Sequence, residues 1–250
     1  MNEKIIKQIT RPGKSPLITY KEMHVGQAGW LFFLYYELCL LLLKNLQGAL
    51  GLALRPFCYK VLLGRLGKGV VIGPGVTFRN PQKIRLGDHV VIDEDSVLDA
   101  KGDGSRGITL GHHVFVSKNV ILSCKSGAIT VGDYVSIGPF SGIYSIDACE
   151  VRIGDYCVIA AYCYFAGGGA YITKDLDTPF VLQGLEEGKP IVVEANVWLG
   201  GYVAVMEGVT IGTGSVIGAK SLVKRDVPPR SVAFGVPARV HRVRGTEAGD

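Results

Sequence analysis

The chain reads as mainly β, a solenoid of stacked triangular coils preceded by a helical, apolar segment. Three observations predict this. Aliphatic residues recur every sixth position, as in Val193, Leu199, Val205, Ile211, Ile217 and Val223. Each begins a hexapeptide such as Ile211-Gly212-Thr213-Gly214-Ser215-Val216, with a small residue usually second and a small or β-branched one fifth. The stretch ahead of this ladder is instead a dense apolar run. A period of six is too long for a helix face and too regular for strand alternation, so it marks coils that stack like side chains on like. A sandwich, whose turn signals recur roughly every 8 to 12 residues, does not keep six-residue phase through so many repeats.

Residues 1–66 form the first unit. Gly29-Trp30-Leu31-Phe32-Phe33-Leu34-Tyr35-Tyr36-Glu37-Leu38-Cys39, continued by Leu40 to Leu43, reads as a helix broken by one acid. A second apolar run, Leu46 to Leu54, ends at Arg55-Pro56, where proline disfavours continuation. The first run is shorter than the roughly 20 apolar residues that span a bilayer, and Glu37 is costly at its centre. Three arrangements compete: a monotopic or re-entrant hairpin, a helix packed on the solenoid or a neighbouring subunit, and a true span. The first is preferred. It places residues 29–54 on a membrane surface, with Trp30, Tyr35 and Tyr36 near the headgroups and Lys44, Arg55, Lys60 and Arg65 facing anionic lipid.

Residues 67–230 form the solenoid. The ladder runs through Leu86, Ile92 and Leu98, then Leu110, Val116 and Leu122, then Val131, Ile137 and Ile143, then Ile153, Ile159 and Phe165. Three hexapeptides make one turn, and the small second residue is read as letting the corner turn without a steric penalty. Phase is lost over 167–190, a loop excursion, and regained at Ile191. Residues 231–250 are read as a basic tail.

Composition bounds the rest. With 250 residues, 48% hydrophobic content and 34 glycines, the chain is globular. The six cysteines show no CxxC pairing, Cys157 and Cys163 fall at small repeat positions, and no cleavable signal is visible, so reduced thiols and a cytoplasmic compartment are expected. No metal site is expected, because His and Cys do not cluster at ligand spacing. The net charge of +5 is concentrated late, in Lys220, Lys224, Arg225, Arg230, Arg239, Arg242 and Arg244. A basic patch beside a glycine-rich ladder suits a phosphate-bearing ligand. Nucleic acid is not expected, since no aromatic residues are interleaved with these bases.

Asn196-Val197-Trp198-Leu199-Gly200-Gly201, Gly208-Val209-Thr210-Ile211-Gly212, Ile217-Gly218-Ala219-Lys220-Ser221, Asp226-Val227-Pro228-Pro229 and Gly235-Val236-Pro237-Ala238-Arg239 stand in one order and spacing. In these blocks the chain resembles the hexapeptide-repeat O-acyltransferases, a left-handed parallel β-helix family that includes galactoside, maltose and exopolysaccharide O-acetyltransferases. The resemblance runs from about Gly67 to Arg244. It implies a homotrimer with acetyl-CoA in the cleft between neighbouring β-helices, no metal, and a sugar hydroxyl as acceptor. The backbone at Gly201 and Ala219 would line the pantetheine arm and Trp198 would wall the site, with Lys220 in the same cofactor-lining set. Lys224, Arg225, Arg239 and Arg242 would face the nucleotide phosphates. An amide at Gly200 or Gly201 would stabilise the oxyanion. Together with the apolar segment, the resemblance leads to a polysaccharide or lipid-linked glycan acceptor and a place on the cytoplasmic side of the inner membrane, the cytoplasm being the alternative.

The family's chemistry needs a general base, because a hydroxyl has too high a pKa to attack a thioester unaided. Counting from Ile153-Gly154-Asp155, the family's histidine position falls on Ala170, in Phe165-Ala166-Gly167-Gly168-Gly169-Ala170-Tyr171. An alanine accepts no proton. Either Ala170 replaces a histidine, leaving an inactivated variant, or it is native to a non-catalytic acyl-CoA-binding or scaffold protein, or another group serves. Asp147 lies where the family often has a carboxylate near the acceptor; its other reading is a corner residue capping its own backbone. Asp133 and Asp155 are read as turn residues. His24, His89, His112, His113 and His241 are read as surface or corner residues, away from the cofactor-lining blocks. A metal-dependent β-helix enzyme of the carbonic anhydrase type is the remaining rival, and His89, His112 and His113 lack a convincing ligand spacing for it.

Overall fold

The structure, a computed structural model, describes residues 15–102 and 104–245. Three helices, α1 (Pro16–Val25), α2 (Trp30–Leu43) and α3 (Gly48–Tyr59), precede a parallel β-solenoid of short strands. The strands sort by thirds into three flat sheets of seven, nine and seven strands, one per face of a triangular prism. The parallel strands keep register through the coils: Leu86, Leu110, Val131, Ile153, Val193 and Ile211 stack on the first face, and Ile92, Val116, Ile137, Ile159, Leu199 and Ile217 on the second. These inward residues are almost wholly removed from water, each contributing roughly 1.5–3 kcal/mol of burial.

The corners turn differently from the sequence expectation. The second-position glycines do not supply the left-handed residue; they permit close approach. A Cβ on Gly87 would lie 2.4 Å from the Gly111 carbonyl oxygen, and one on Gly212 would lie 2.4 Å from the Pro229 nitrogen. The positive φ falls two residues later, mostly on side-chain-bearing residues: His89, His113, Tyr134, Tyr156 and Asn196 at the first–second corner, and Asp95, Asn119, Phe140, Tyr162, Tyr202 and Lys220 at the second–third. A non-glycine residue there costs roughly 1–2 kcal/mol. Stacking between coils offsets it, with ring centroids 4.7 Å apart for His113–Tyr134 and for Tyr162–Tyr202.

The helices close the open end of the first coil. Tyr36 Oη donates to the Phe78 carbonyl at 2.8 Å, and Arg55 Nε donates to the Ile72 carbonyl at 2.7 Å. Helix α3 does not stop at Arg55-Pro56 as expected; it runs on to Tyr59 with Pro56 inside. Pro56 sits in the last turn, where few helical bonds remain to be lost, and the buried Arg55 pins that turn to the solenoid. Helix α1 went unread in the sequence. At the far end the expected tail is structured: Ser231–Gly235 joins the second sheet beside Val216–Ile217, and Ala238–Val243 returns antiparallel to it. Among the described residues no single helix is long and apolar enough to cross a membrane; α1 and α2 together reach the length but meet at 79°.

Candidate active site

Residues 168–190 leave the solenoid at the third–first corner, between the strands Tyr164–Gly167 and Ile191–Val193. They form an arm. Its two limbs pair through Glu186 N–H to the Ala170 carbonyl at 2.8 Å and Ile172 N–H to the Gly184 carbonyl at 3.1 Å, and its tip is the short helix α4 (Phe180–Gln183). Gln183 ties the tip by donating to the Asp175 and Thr178 carbonyls, each at 2.6 Å. Thr178 and then Asp177 hold the Asp175 carboxyl below the usual carboxylate range by hydrogen bonding to it.

The arm is rooted on the corner that carries Asp147. A Cβ on Gly168 would meet the Ile146 carbonyl at 2.2 Å, and one on Gly188 would meet Cys149 Cβ at 2.8 Å, so both limbs pass where a larger side chain does not fit. Asp147 has φ 53° and its N–H donates to Ser126 Oγ at 2.7 Å. Ala170 is exposed. The structure therefore brings Asp147 to the root of the arm that presents Ala170.

A third residue belongs to this corner and was not found in the sequence. Glu207 follows the strand Ala204–Met206 one coil further on, and its Oε2 is shielded from solvent with no hydrogen-bond partner. Burial, then the Glu186 and Asp147 carboxylates, push its pKa up, against the pull of Lys189. The excursion hid it, because breaking the six-residue phase removes the count that would bring Glu207 to this corner.

The cofactor-lining candidates collect elsewhere. Trp198 projects from the second face, exposed, in a row with Val158, Val216, Val232 and Arg242. Gly200 and Gly201 open the second–third corner of that coil, Gly218 and Ala219 repeat the position one coil on, and Lys220, in register with Tyr202, donates its N–H to the Gly201 carbonyl at 2.8 Å. The two glycines differ. A Cβ on Gly200 would lie 2.7 Å from the Ala219 nitrogen, whereas one on Gly201 meets only the Ala161 carbonyl oxygen at 3.5 Å. Packing demands the first glycine and leaves the second free for an outside group to approach. The cationic candidates divide: Arg239 and Arg242 lie on the returning strand of the second face, while Lys224 and Arg225 follow Leu222–Val223 at the third–first corner, all exposed.

Two arrays thus occupy two corners of one prism, Ala170, Asp147 and Glu207 at one and Trp198, Gly200, Gly201, Ala219 and Lys220 at the other. One side of the triangle separates them, on the order of 15 Å for five extended residues.

The remaining candidates take structural places. Asp133 and Asp155 accept amide N–H groups across coils, from His112 at 2.7 Å and from Asp133 at 2.8 Å. His89 and His113 stack at a corner, and His112 faces Asp88 at 3.4 Å. The thiols of Cys149, Cys157 and Cys163 donate to the carbonyls of Lys189, Glu194 and Gly200; burial, then Glu207, pushes Cys149 up to about 11, so these are packing groups rather than nucleophiles.

Comparison with known proteins places these features in context. The pattern of the family described as bacterial transferase hexapeptide (six repeats) matches residues 190–225. A Schizosaccharomyces pombe protein bearing the name putative acetyltransferase is 49% identical over 172 residues, covering 67% of this chain and 70% of its own length. Staphylococcus aureus (strain COL) has a similarly named relative that is 38% identical over 130 residues, 45% of this chain; the chain spans 64% of that relative's length. The galactoside O-acetyltransferase of Escherichia coli K12 is 41% identical over 97 residues, 39% of this chain and 46% of its own. Among solved structures, the Bacillus cereus N-acyltransferase AntD, in complex with dTDP and 3-hydroxybutyryl-CoA, superposes with a TM-score of 0.53 at 20% identity, covering 76% of this chain and 88% of that one; the likeness is one of fold.

Proposed function

This chain belongs to the hexapeptide-repeat acetyltransferase family, and from that premise we propose that its scaffold transfers acetyl from acetyl-CoA to a sugar hydroxyl of a polysaccharide or lipid-linked glycan. The observation that carries the reading is the division of the site between two corners of the prism. A base position at one corner and a cofactor wall at the other complement each other only when copies pack side by side. A homotrimer, with each cleft lined by the arm of one subunit and the Trp198 corner of the next, supplies that arrangement.

The residues present fit acetyl-CoA. Gly201 leaves its backbone open to a thin pantetheine chain, Trp198 offers an exposed apolar wall, and Lys220, Lys224, Arg225, Arg239 and Arg242 supply cationic donors for phosphates. In the reaction a base removes the acceptor proton as the oxygen attacks the thioester carbonyl; the carbon–sulfur bond breaks and the proton leaves with the CoA thiol. An amide at Gly200 or Gly201 holds the oxyanion. Ala170 stands at the base position and takes no proton, so this chain is proposed to be inactive as it stands, with Asp147 orienting the acceptor or the missing imidazole.

The test follows free thiol release from acetyl-CoA, with lipid-linked glycans as acceptor, for this chain and for Ala170→His. Turnover by the variant alone identifies position 170 as the base. Silence of both, with CoA bound by both, favours the second reading that Ala170 itself raises: a non-catalytic acyl-CoA-binding or scaffold solenoid.

The protein is further proposed to sit on the cytoplasmic side of the inner membrane, peripheral or monotopic. Helix α2 exposes Leu31, Leu34, Leu38, Leu41 and Leu42 along one stripe, with Leu31 and Leu41 more than 80% accessible, and α3 adds Leu50 and Phe57. So large an apolar plate needs a cover.

A further inference from the structure

The first face of the prism differs chemically from the other two. From the helical end, its outward row reads in register Arg65, Arg85, Thr109, Thr130 and Arg152. Arg152 is neutralised by Glu150 at 3.3 Å, which also binds Arg106. Arg65 and Arg85 are not. They face each other from adjacent strands, both exposed, and neither is within ion-pair distance of a carboxylate among the described residues. Like charges set opposite each other repel, so the pair stands without compensation.

The two side chains flank a groove of about 290 Å³ floored by Gly87 and Gly111 and bounded by Thr109 and His112. The carboxylates near it are engaged. Asp88 accepts the Lys68 N–H at 2.7 Å and faces His112 Nδ1 at 3.4 Å, and Asp133 accepts the His112 N–H; Arg65 acts on Asp88 only through space. Position adds a second observation. Only residues 60–64 join Arg65 to the end of α3, and this part of the chain exposes Phe57 and Val61. The arginine pair therefore follows directly in the chain on the helices that carry the apolar plate.

We propose that this groove binds the phosphate of an anionic lipid headgroup while the plate rests in the acyl boundary of the same leaflet. The inference rests on the membrane reading above. Two guanidinium forks meet phosphate oxygens with paired hydrogen bonds, the Thr109 hydroxyl adds a neutral donor, and the charge that the arginines lack comes from the bilayer. The groove lies at the opposite end of the solenoid from the cationic set assigned to the nucleotide, so the two phosphate sites do not compete.

The test measures partition of the full-length protein onto vesicles of phosphatidylcholine alone and of phosphatidylcholine mixed with phosphatidylglycerol. The unmodified chain should gain binding with phosphatidylglycerol. Arg65→Gln/Arg85→Gln should lose about thirtyfold of that gain, each of the two cations near an anionic surface being worth on the order of 1 kcal/mol, and should bind phosphatidylcholine as before; Arg85→Lys should keep most of it. An equal gain in the double variant overturns the proposal. Leu34→Ser/Leu41→Ser tests the plate separately: if it binds both vesicles undiminished, the membrane reading of the helices fails whatever the arginines do. Calorimetric binding of inorganic phosphate without vesicles, lost in the double glutamine variant and able to displace the protein from the mixed vesicles, would make this a free-phosphate site and overturn the lipid assignment.

Discussion

Gly200 and Gly201 are adjacent in the chain and opposite in constraint, and substitution separates them. Gly200→Val drives a side chain into the Ala219 backbone and should cost about 2–4 kcal/mol in a denaturant melt. Gly201→Val should leave the melt nearly unchanged and weaken acetyl-CoA binding, measured by calorimetry. Glu207 carries a pH signature. Its folded pKa is raised, so the native state holds its proton more tightly than the unfolded chain, and stability falls as pH rises through the folded value. Glu207→Gln should therefore melt higher than the unmodified chain at neutral pH, with the difference closing below the unfolded glutamate pKa; a constant difference across that range would contradict the assignment. Ala170 could be proposed for the base position from the sequence because the count from Ile153-Gly154-Asp155 is short. Glu207 was not, because its place depends on where a 23-residue arm, residues 168–190, re-enters the coil.

The helices show how an element with little sequence periodicity acquires a defined role. Helix α2 is apolar almost throughout, yet only Phe33, Tyr36, Cys39 and Leu43 are buried, because those are the residues that meet the first coil. Arg55 locks the arrangement, giving hydrogen bonds to Ile72, Leu43 and Leu46 carbonyls from a site only 2% exposed. Arg55→Leu leaves those carbonyls unpaired and should cost about 2–4 kcal/mol by thermal or denaturant unfolding. Deletion of residues 29–54 should abolish folding of the first coils, seen as lost β-sheet circular dichroism, since it strips the cap from an open strand edge. Membrane retention is therefore better tested with surface leucines than by truncation.

For the proposed trimer, the exposed aromatic residues divide by corner. Tyr134 and Tyr156 continue the stack at the first–second corner, and Phe140, Tyr162 and Tyr202 form one at the second–third, beside Trp198. Each has at least one ring face taken up by stacking, which leaves less flat platform for a sugar. Trimerisation through the Trp198 corner predicts a sedimenting species of three times the monomer mass, and Tyr202→Glu should shift it toward monomer while the isolated chain stays folded. Loss of acetyl-CoA binding in parallel would be expected of a shared cleft; a monomer that binds as tightly as the trimer would place the cofactor site within one chain.

The six-residue ladder was enough to establish the coil phase, the inward residues and the hexapeptide blocks around Trp198 and Ala219, because each depends on a side chain and on its neighbours at a fixed short spacing. The contacts that close the molecule lie outside that rule. Tyr36 reaching Phe78, Ser231–Gly235 extending the second sheet, and the arm settling on Asp147 and Cys149 join residues far apart in the chain. Which corner holds the proposed base position and which the proposed cofactor wall follows from how the faces wrap around one axis. No local pattern encodes it, since every corner repeats the same hexapeptide and only the closed prism sets them apart.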